Sequence, residues 1–573
     1  MNATAASALR AAQPAQNWIL DPVQDTIFII AAPLITLTLA LLTFHFYGPM
    51  EATGLIVVVH TVFTVAHHLP TFIRIYGDVE LFRRFKWSFL LGPLIPFTFA
   101  LGVLGYLNDR ALPLENFFYI WIILTLWDPW HFMRQHYGFM RIYDRHNAAG
   151  KTFGARFDFA LSAVWFAYIM AASSEWLPGV LEGLYTTTNM PVLLFVPQGG
   201  LEILTRVLAA CALLTTVAYT GYLVWCWHKG YFVSLAKLTM VIVMFGVMYL
   251  TYTPNEWMLS LAPGWSFKVG FAVIGIVHMS QYLAIVWRYN RSLASKDGKA
   301  RTGWFRKMHA RGGFFIAAGY VLLCLSYGEV LTVTHDNRWL MSVLLALGFT
   351  STLMHYYFDG FIWRVRHRQN LEHLLSDDGQ LPAQLAMSWW SSANTASAAK
   401  IFSRQLLYFA VPMTVFTVGA LSLWNGSAAN YLQHMYSAYL ANQRGESPLA
   451  VQEAHLAFDD MERQLPAARK LAEIQPTSAH DAELAYLIYN HAQYAYELLP
   501  TLNGQRIDVH MRALDQQDVL EAIATLERAL AKGSSLAYPG RDQLTSDDAY
   551  AALRAWRQRA MALTLPSPAS GRG

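Results

Sequence analysis

The sequence predicts an all-α protein: a polytopic helical membrane bundle of about eleven transmembrane helices with a small soluble helical domain at its C-terminal end. Three observations predict it. Of the 573 residues, 55% are hydrophobic and only 14% charged, a balance that suits a chain solvated by lipid. Apolar runs long enough to cross a bilayer recur along most of the chain. The loops between them alternate between Lys/Arg-rich and Lys/Arg-poor.

Residues 1–25 open the chain without a basic stretch running into an apolar core and a small-residue cleavage site, so the first apolar run reads as a retained helix and not a signal peptide. The transmembrane domain covers 26–424, with spans at roughly 26–47, 53–74, 88–107, 117–140, 156–173, 201–227, 232–250, 265–287, 314–334, 339–363 and 405–424. Loops 74–88, 140–156, 228–237, 288–313 and 364–404 hold nearly all the loop Lys and Arg, which places the N-terminus in the cytoplasm. Eleven crossings then put the C-terminal domain on the opposite, extracytoplasmic side. Residues 428–563 switch to polar sequence of helical period, punctuated by Pro466, Pro476 and Pro500. They read as a helical bundle with a faint tetratricopeptide-like cast that would suit a protein partner. Residues 564–573 form a Pro/Ser/Gly coil tail.

The net charge of +4 leaves no nucleic-acid footprint. Cys211, Cys226 and Cys324 are scattered through apolar runs and suit helix packing better than a disulfide framework.

Ionisable residues inside spans are costly and usually face the bundle interior, so they carry the functional information. Span two has His60, His67 and His68; span four has Asp128, His131, Gln135 and His136; span eight has His278 and Gln281; span ten has His355 and Asp359. All four spans are even-numbered, so all run from outside to inside. Each ends near an arginine (Arg74, Arg141, Arg288 or Arg364) expected at the cytoplasmic headgroup level. Counting back at about 1.5 Å per residue puts His67 about 10 Å, His131 and His278 about 15 Å, and His355 about 14 Å from that level. Independent packing histidines have no reason to share a depth and a direction. His131/Gln135 and His355/Asp359 are four apart and so share helix faces, where a carboxylate or amide can fix an imidazole tautomer or add a ligand. Imidazole with a few carboxylates suits iron, copper or zinc, and a haem is a further option. Trp127, Trp130, Trp287 and Trp363 suit the interfacial belt or packing, and Pro129 is expected to kink span four beside His131.

The "HFMRQH" box and the paired "HH" of span two resemble the histidine boxes of membrane di-iron desaturases and hydroxylases. Histidines dispersed over several spans are similar to those of the Brp/Blh family, membrane oxygenases that cleave β-carotene. The resemblance covers four short segments. It implies iron, in a di-iron arrangement, bound by His67, His68, His131, His136, His278 and His355, with His60, Asp128, Gln135, Gln281 and Asp359 orienting those ligands or adding to them. It also implies oxygen-dependent hydroxylation, desaturation or cleavage of a lipid or isoprenoid substrate, with an electron-donor protein at the cytoplasmic face. The third desaturase box, His-x2-His-His, is absent, which leaves metal count and substrate open. Two other classes fit the same residues: a proton- or metal-coupled transporter, and an assembly or haem-binding scaffold.

Overall fold

The computed structural model describes residues 16–110, 114, 117, 119–144, 153–173, 175–188, 191–296, 303–310, 313–362, 399–400, 402–407, 409–410, 414, 431–533, 536 and 544–564. The described residues form helices and connecting turns, with no strand among them. They fall into two compact units, residues 1–176 with 205–417 and residues 177–204 with 418–573.

The first unit begins with a π-helical turn, Asp25–Ile30, that leads at a 48° bend into α1 (Ala32–Phe46). Pro33 explains the bend: it has no N–H to give to the carbonyl of Ile29, four residues back, and its ring crowds that carbonyl. The second apolar run breaks in the same way. α2 (Pro49–Ala66) and α3 (His68–Gly77) are separated at His67 because Pro70 cannot bond the carbonyl of Ala66. Next come α4 (Val79–Leu91), α5 (Leu94–Asp109), α6 (Tyr119–Tyr143) and α7 (Phe153–Ala172). α9 (Gly200–His228), α10 (Leu235–Tyr252), α11 (Glu256–Leu261), α12 (Phe267–Lys296), α13 (Gly303–Ala310), α14 (Phe314–Thr332) and α15 (Arg338–Ile362) complete the unit's helices.

Among the described residues, eight helical segments are long and apolar enough to cross a membrane: α2–α3, α4–α5, α7, α9, α10, α12, α14 and α15. The bent pair ending in α1 makes nine. α6 has the length, 25 residues, but Asp128, His131, Arg134, Gln135, His136 and Arg141 lower its hydropathy. The eleventh span expected at 405–424 lies largely outside the described residues, as do Arg364, Trp363 and the side chain of Trp127. Of the other tryptophans, Trp130 packs edge-on to Phe159, and Trp287 lies against His309 and Tyr320. α6 continues through Pro129 as one helix. None of the three cysteines forms a disulfide.

α12 is the central post of this unit. Its apolar window is 72% buried, against 17% for α9 and α14, whose Leu213, Leu214, Val217 and Leu322 point outward as lipid-facing residues do. Small residues let helices close on one another: a Cβ at Gly328 of α14 would collide with the Val62 carbonyl of α2.

Charges inside this unit are neutralised by protein. Lys237 of α10, 1% exposed, donates to Asp144 at 2.6 Å and to Asp158 at 3.2 Å. Arg141 donates to Asp158 at 2.6 Å, and the Tyr219 hydroxyl donates to the other oxygen of that carboxylate at 2.8 Å. Arg74 is buried, pairs with Asp78 at 2.5 Å and lies over the Tyr289 ring. The expectation that Arg74 and Arg141 reach for headgroups is therefore corrected: carboxylates one turn away or on a neighbouring helix hold them. Arg288 alone of the described three is exposed.

The second unit contains α8 (Trp176–Thr188) from Leu177 onward, together with α16 (Tyr431–Gln443), α17 (Ser447–Ile474), α18 (Ser478–Gln493), α19 (Leu499–Leu502), α20 (Val509–Lys532) and α21 (Ser546–Thr564). Ala454, Met461, Ala485, Leu526 and Trp556 are among its core residues. Leu181, Tyr185 and Leu193 from the α7–α9 connection pack on Ala467 and Leu471 of α17, and the Tyr185 hydroxyl donates to the Arg463 carbonyl at 2.7 Å.

Replacing Lys237 with Met would leave Asp144 and Asp158 facing one another with only Arg141 between them. Breaking a buried pair in this way costs about 3–5 kcal/mol, so a clear drop in the thermal unfolding midpoint in detergent is expected for Lys237→Met. A midpoint equal to that of the parent would show that the network contributes nothing.

Candidate metal centre

The helices that carry intramembrane histidines bring most of them together. His67 sits at the proline-induced break between α2 and α3, which frees its backbone from helical register with α3. His131 comes from α6, His278 from α12 and His355 from α15. The His67 Nε2 lies 3.2 Å from the His355 Nε2, and ring centroids stand 4.9 Å apart for His131 and His278 and 5.3 Å apart for His131 and His355. Asp359 Oδ2 lies 3.8 Å from the Nε2 of both His131 and His355.

Hydrogen-bond partners determine which imidazole nitrogens carry protons. The His67 Nδ1 lies 3.3 Å from the Phe63 carbonyl, which can only accept, so Nδ1 donates and Nε2 keeps its lone pair. For His355 the assignment runs through a chain. The Tyr282 hydroxyl donates to Asp359 Oδ1 at 2.8 Å. Its own oxygen is 2.5 Å from Thr71 Oγ1, which must therefore donate to it. Thr71 Oγ1 is then the acceptor for the His355 Nδ1 at 3.0 Å. The proton of His355 is on Nδ1 and its lone pair on Nε2.

Two imidazole lone pairs thus face each other at 3.2 Å in a dry setting, a repulsive arrangement that a cation between them would turn into an attractive one. With metal–nitrogen bonds of about 2.0–2.1 Å, that separation subtends roughly 100° at the ion, between octahedral and tetrahedral values. Beside this pair, the Nε2 of His131 and both ring nitrogens of His278 are buried without a hydrogen-bond partner among the described residues. Buried polar atoms are normally satisfied, so these orphans fit donors awaiting a ligand. Two groups of three donors are close enough to share an ion: His67, His278 and His355, and His131, His355 and Asp359.

The remaining candidates sit around this cluster. His68 places its Nδ1 3.0 Å from Ser351 Oγ, which accepts from the Tyr327 hydroxyl at 2.9 Å, and its ring stacks on His355. His136 places its Nδ1 2.8 Å from the Phe132 carbonyl. Gln135 donates to the Gln281 side chain at 3.1 Å, and Gln281 donates to the Ile29 carbonyl at 2.9 Å, the carbonyl that Pro33 leaves without its helical partner. These two amides brace α6 and α12 against the N-terminal turn. His60 rests on Gly275 of α12, where a Cβ would overlap its ring. His60 and Asp128 line a small cavity that also touches His67, His131, His278 and Tyr356.

Thr71 and Tyr282 were not singled out by the sequence. The signal was present: Thr71 lies four residues after His67 and Tyr282 four after His278, the same spacing that links His355 to Asp359.

No family model, no curated protein and no solved structure matches the chain. The fold and site define a helical protein with helices long and apolar enough to cross a membrane and a buried imidazole–carboxylate cluster. Any functional reading therefore rests on the chemistry of these residues.

Partners that fix the tautomer of a metal-bound histidine typically contribute 10- to 100-fold in affinity. Tyr282→Phe and Thr71→Val are each expected to weaken divalent-ion binding by about that factor, measured by competition with a chromophoric zinc chelator. Unchanged affinity in both would remove the chain from any role in presenting His355.

Proposed function

We propose that this chain is an integral membrane metalloenzyme, an oxygen-dependent oxidoreductase acting on a lipid or isoprenoid substrate, with a transition metal, foremost iron, held by His67, His131, His278, His355 and Asp359. The observation that carries it is the convergence of imidazole lone pairs in the bundle interior: His67 and His355 opposed at 3.2 Å, with the orphaned nitrogens of His131 and His278 beside them. When bound, such an ion would supply the activation of oxygen that no side chain supplies alone. The chain's own residues present the donors, fix their tautomers through Thr71, Tyr282 and the Phe63 carbonyl, and surround them with apolar helices that keep water out. The cavity at His60 and Asp128 leaves room beside the donors for about one water molecule. A haem suits the geometry less well. Axial ligands on opposite faces of one iron stand about 4 Å apart at such bond lengths, and the 3.2 Å pair is too close for that.

Helix direction supports a shared depth for these donors. The α7–α9 connection and residues 431–564 belong to one compact unit, so an even number of crossings should separate them. Five candidate crossings lie between, α9, α10, α12, α14 and α15, which calls for a sixth; the apolar run 405–424 supplies it in the sequence. Counted this way α2–α3, α6, α12 and α15 all run in one direction, and the loop charges make that direction outside to inside. A reductant would then arrive from the cytoplasm and the C-terminal unit would lie outside it.

One observation favours the second reading, a proton- or metal-coupled transporter: the hydroxyls of Thr71 and Tyr282 connect His355 to Asp359 in a line along which a proton could pass.

Metal content decides first. Protein purified in detergent without chelator is expected to retain a transition metal, by elemental mass spectrometry, that His355→Ala loses while still eluting as a folded species. Metal-free protein that takes up no added iron, copper or zinc would overturn the reading. Uptake of protons or metal into proteoliposomes, abolished by Asp359→Asn, would move the protein to the transporter class.

Topology is checked separately. Reporters placed in the α8–α9 connection and at the C-terminus should give the same, extracytoplasmic signal, and one at residues 297–302 the opposite. A mismatch between the first two would break the parity on which the shared direction rests.

A further inference from the structure

We infer that the centre holds one metal ion and not two. This deepens the metalloenzyme reading and rests on it.

The limiting donor is His355. Both three-donor groups include it, and its Nδ1 is committed to Thr71, so Nε2 is the lone pair it has to offer. An imidazole nitrogen binds one ion, and bridging two would require both ring nitrogens. If His355 serves the first group, the second retains His131 and Asp359. If it serves the second, the first retains His67 and His278. Either way a second ion is left with two protein donors.

Dinuclear centres in helical bundles solve this shortage with several carboxylates, some of them bridging. Here Asp359 is the carboxylate within the two groups, and its Oδ1 accepts from Tyr282. A bridge through Oδ1 would compete with that bond for the oxygen's lone pairs and so loosen the hold on the tautomer of His355. Asp128 reaches the neighbouring cavity but joins neither group, and the Gln281 amide is spent on Gln135 and the Ile29 carbonyl. His68 and His136, implied as iron ligands by the resemblance to histidine-box enzymes, belong to no group of three among the described residues.

Charge leads to the same number. Two divalent ions against the single carboxylate of Asp359 would leave a net +3 inside apolar helices, whereas one leaves +1. Either group presents three donors, mostly imidazole, to a single borderline divalent cation, with coordination positions left for exchangeable small ligands.

The test is the stoichiometry of Co(II) binding to the full chain in detergent, stripped of metal and titrated under anaerobic conditions, read by its visible absorption and by elemental analysis after desalting. The d–d bands are expected to saturate at one equivalent. Two equivalents at comparable affinity would overturn the single-ion inference and leave the metalloenzyme reading standing. No binding of cobalt, iron, copper or zinc would overturn that reading itself.

His67→Ala and His131→Ala, one donor from each group, sharpen the result. With one ion, the variant that removes one of its ligands weakens that binding event by at least 10-fold, and the other variant keeps one equivalent. With two, each variant removes one equivalent and leaves the other intact. His68→Ala, which alters neither group, is expected to keep one equivalent, and a fall from two to one in that variant would also sink the proposal. Thermal unfolding and gel filtration of each variant separate lost ligation from lost fold.

Discussion

The contact between His67 and His355 organises the interior of the membrane unit. Two neutral imidazoles that point lone pairs at one another across 3.2 Å repel, and low dielectric strengthens the repulsion. The surrounding residues prevent the simplest relief, which is for one ring to move its proton to Nε2. On one side the Phe63 carbonyl holds the proton on Nδ1 of His67. On the other, Asp359, Tyr282 and Thr71 hold it on Nδ1 of His355. The geometry is thus preorganised for a positive charge that the side chains do not themselves provide. The preorganisation is built from local spacing: His67 with Thr71, His278 with Tyr282 and His355 with Asp359 are each one helical turn apart, and three helical segments contribute one pair each.

The same unit treats its other buried charges differently. Around Lys237 the cations and carboxylates balance: Lys237 and Arg141 face Asp144 and Asp158, with Tyr219 adding a neutral donor. Arg74 and Asp78 form a second balanced pair. In the histidine layer, by contrast, the Nε2 of His131 and both ring nitrogens of His278 are buried without a partner among the described residues. Asp25 is treated differently: its carboxylate accepts from the backbone N–H groups of Ile19 and Leu20 and from the Tyr143 hydroxyl. The histidine layer is where unpartnered imidazole nitrogens from neighbouring helices gather.

Much of this was legible in the sequence, because a histidine or aspartate in an apolar run has few reasons to be there and helical spacing shows which face it occupies. That logic reached the four helices and His67, His131, His278, His355 and Asp359. The depth ruler rested on arginines that turn out to be held by protein carboxylates: Arg74 by Asp78 one turn on, a spacing the sequence displays, and Arg141 by Asp158 seventeen residues beyond, which no local pattern displays. The roles of Gln135 and Gln281 were equally hidden. Gln135 donates to Gln281, whose own partner is the Ile29 carbonyl, made available by Pro33 some 250 positions away, so an amide that looked like a spare ligand serves as a strut. α8 offered no clue that Leu177 onward would pack with α17, since an amphipathic helix between two spans has many surfaces it could cover. Long-range pairing, not helix formation, was the missing information.

The struts also bear on which chemistry suits the layer. A transporter must open its binding site alternately to two sides, which means separating the helices that form it. Here Gln281 ties α12 to the turn before α1, Gln135 ties α6 to α12, Tyr282 ties α12 to α15, and Thr71 ties α3 to both α12 and α15. Each of these bonds is buried or nearly so, and leaving such a group unsatisfied costs about 1–3 kcal/mol. Parting α12 from its neighbours would break several at once, at the depth where the donors sit. An enzyme asks for the reverse: donors held within a few tenths of an ångström while substrate comes to them. The hydrogen bonds that could carry a proton from His355 to Asp359 are thus the same ones that hold the helices together, and a site braced in that way favours chemistry at a fixed centre over passage through a moving one.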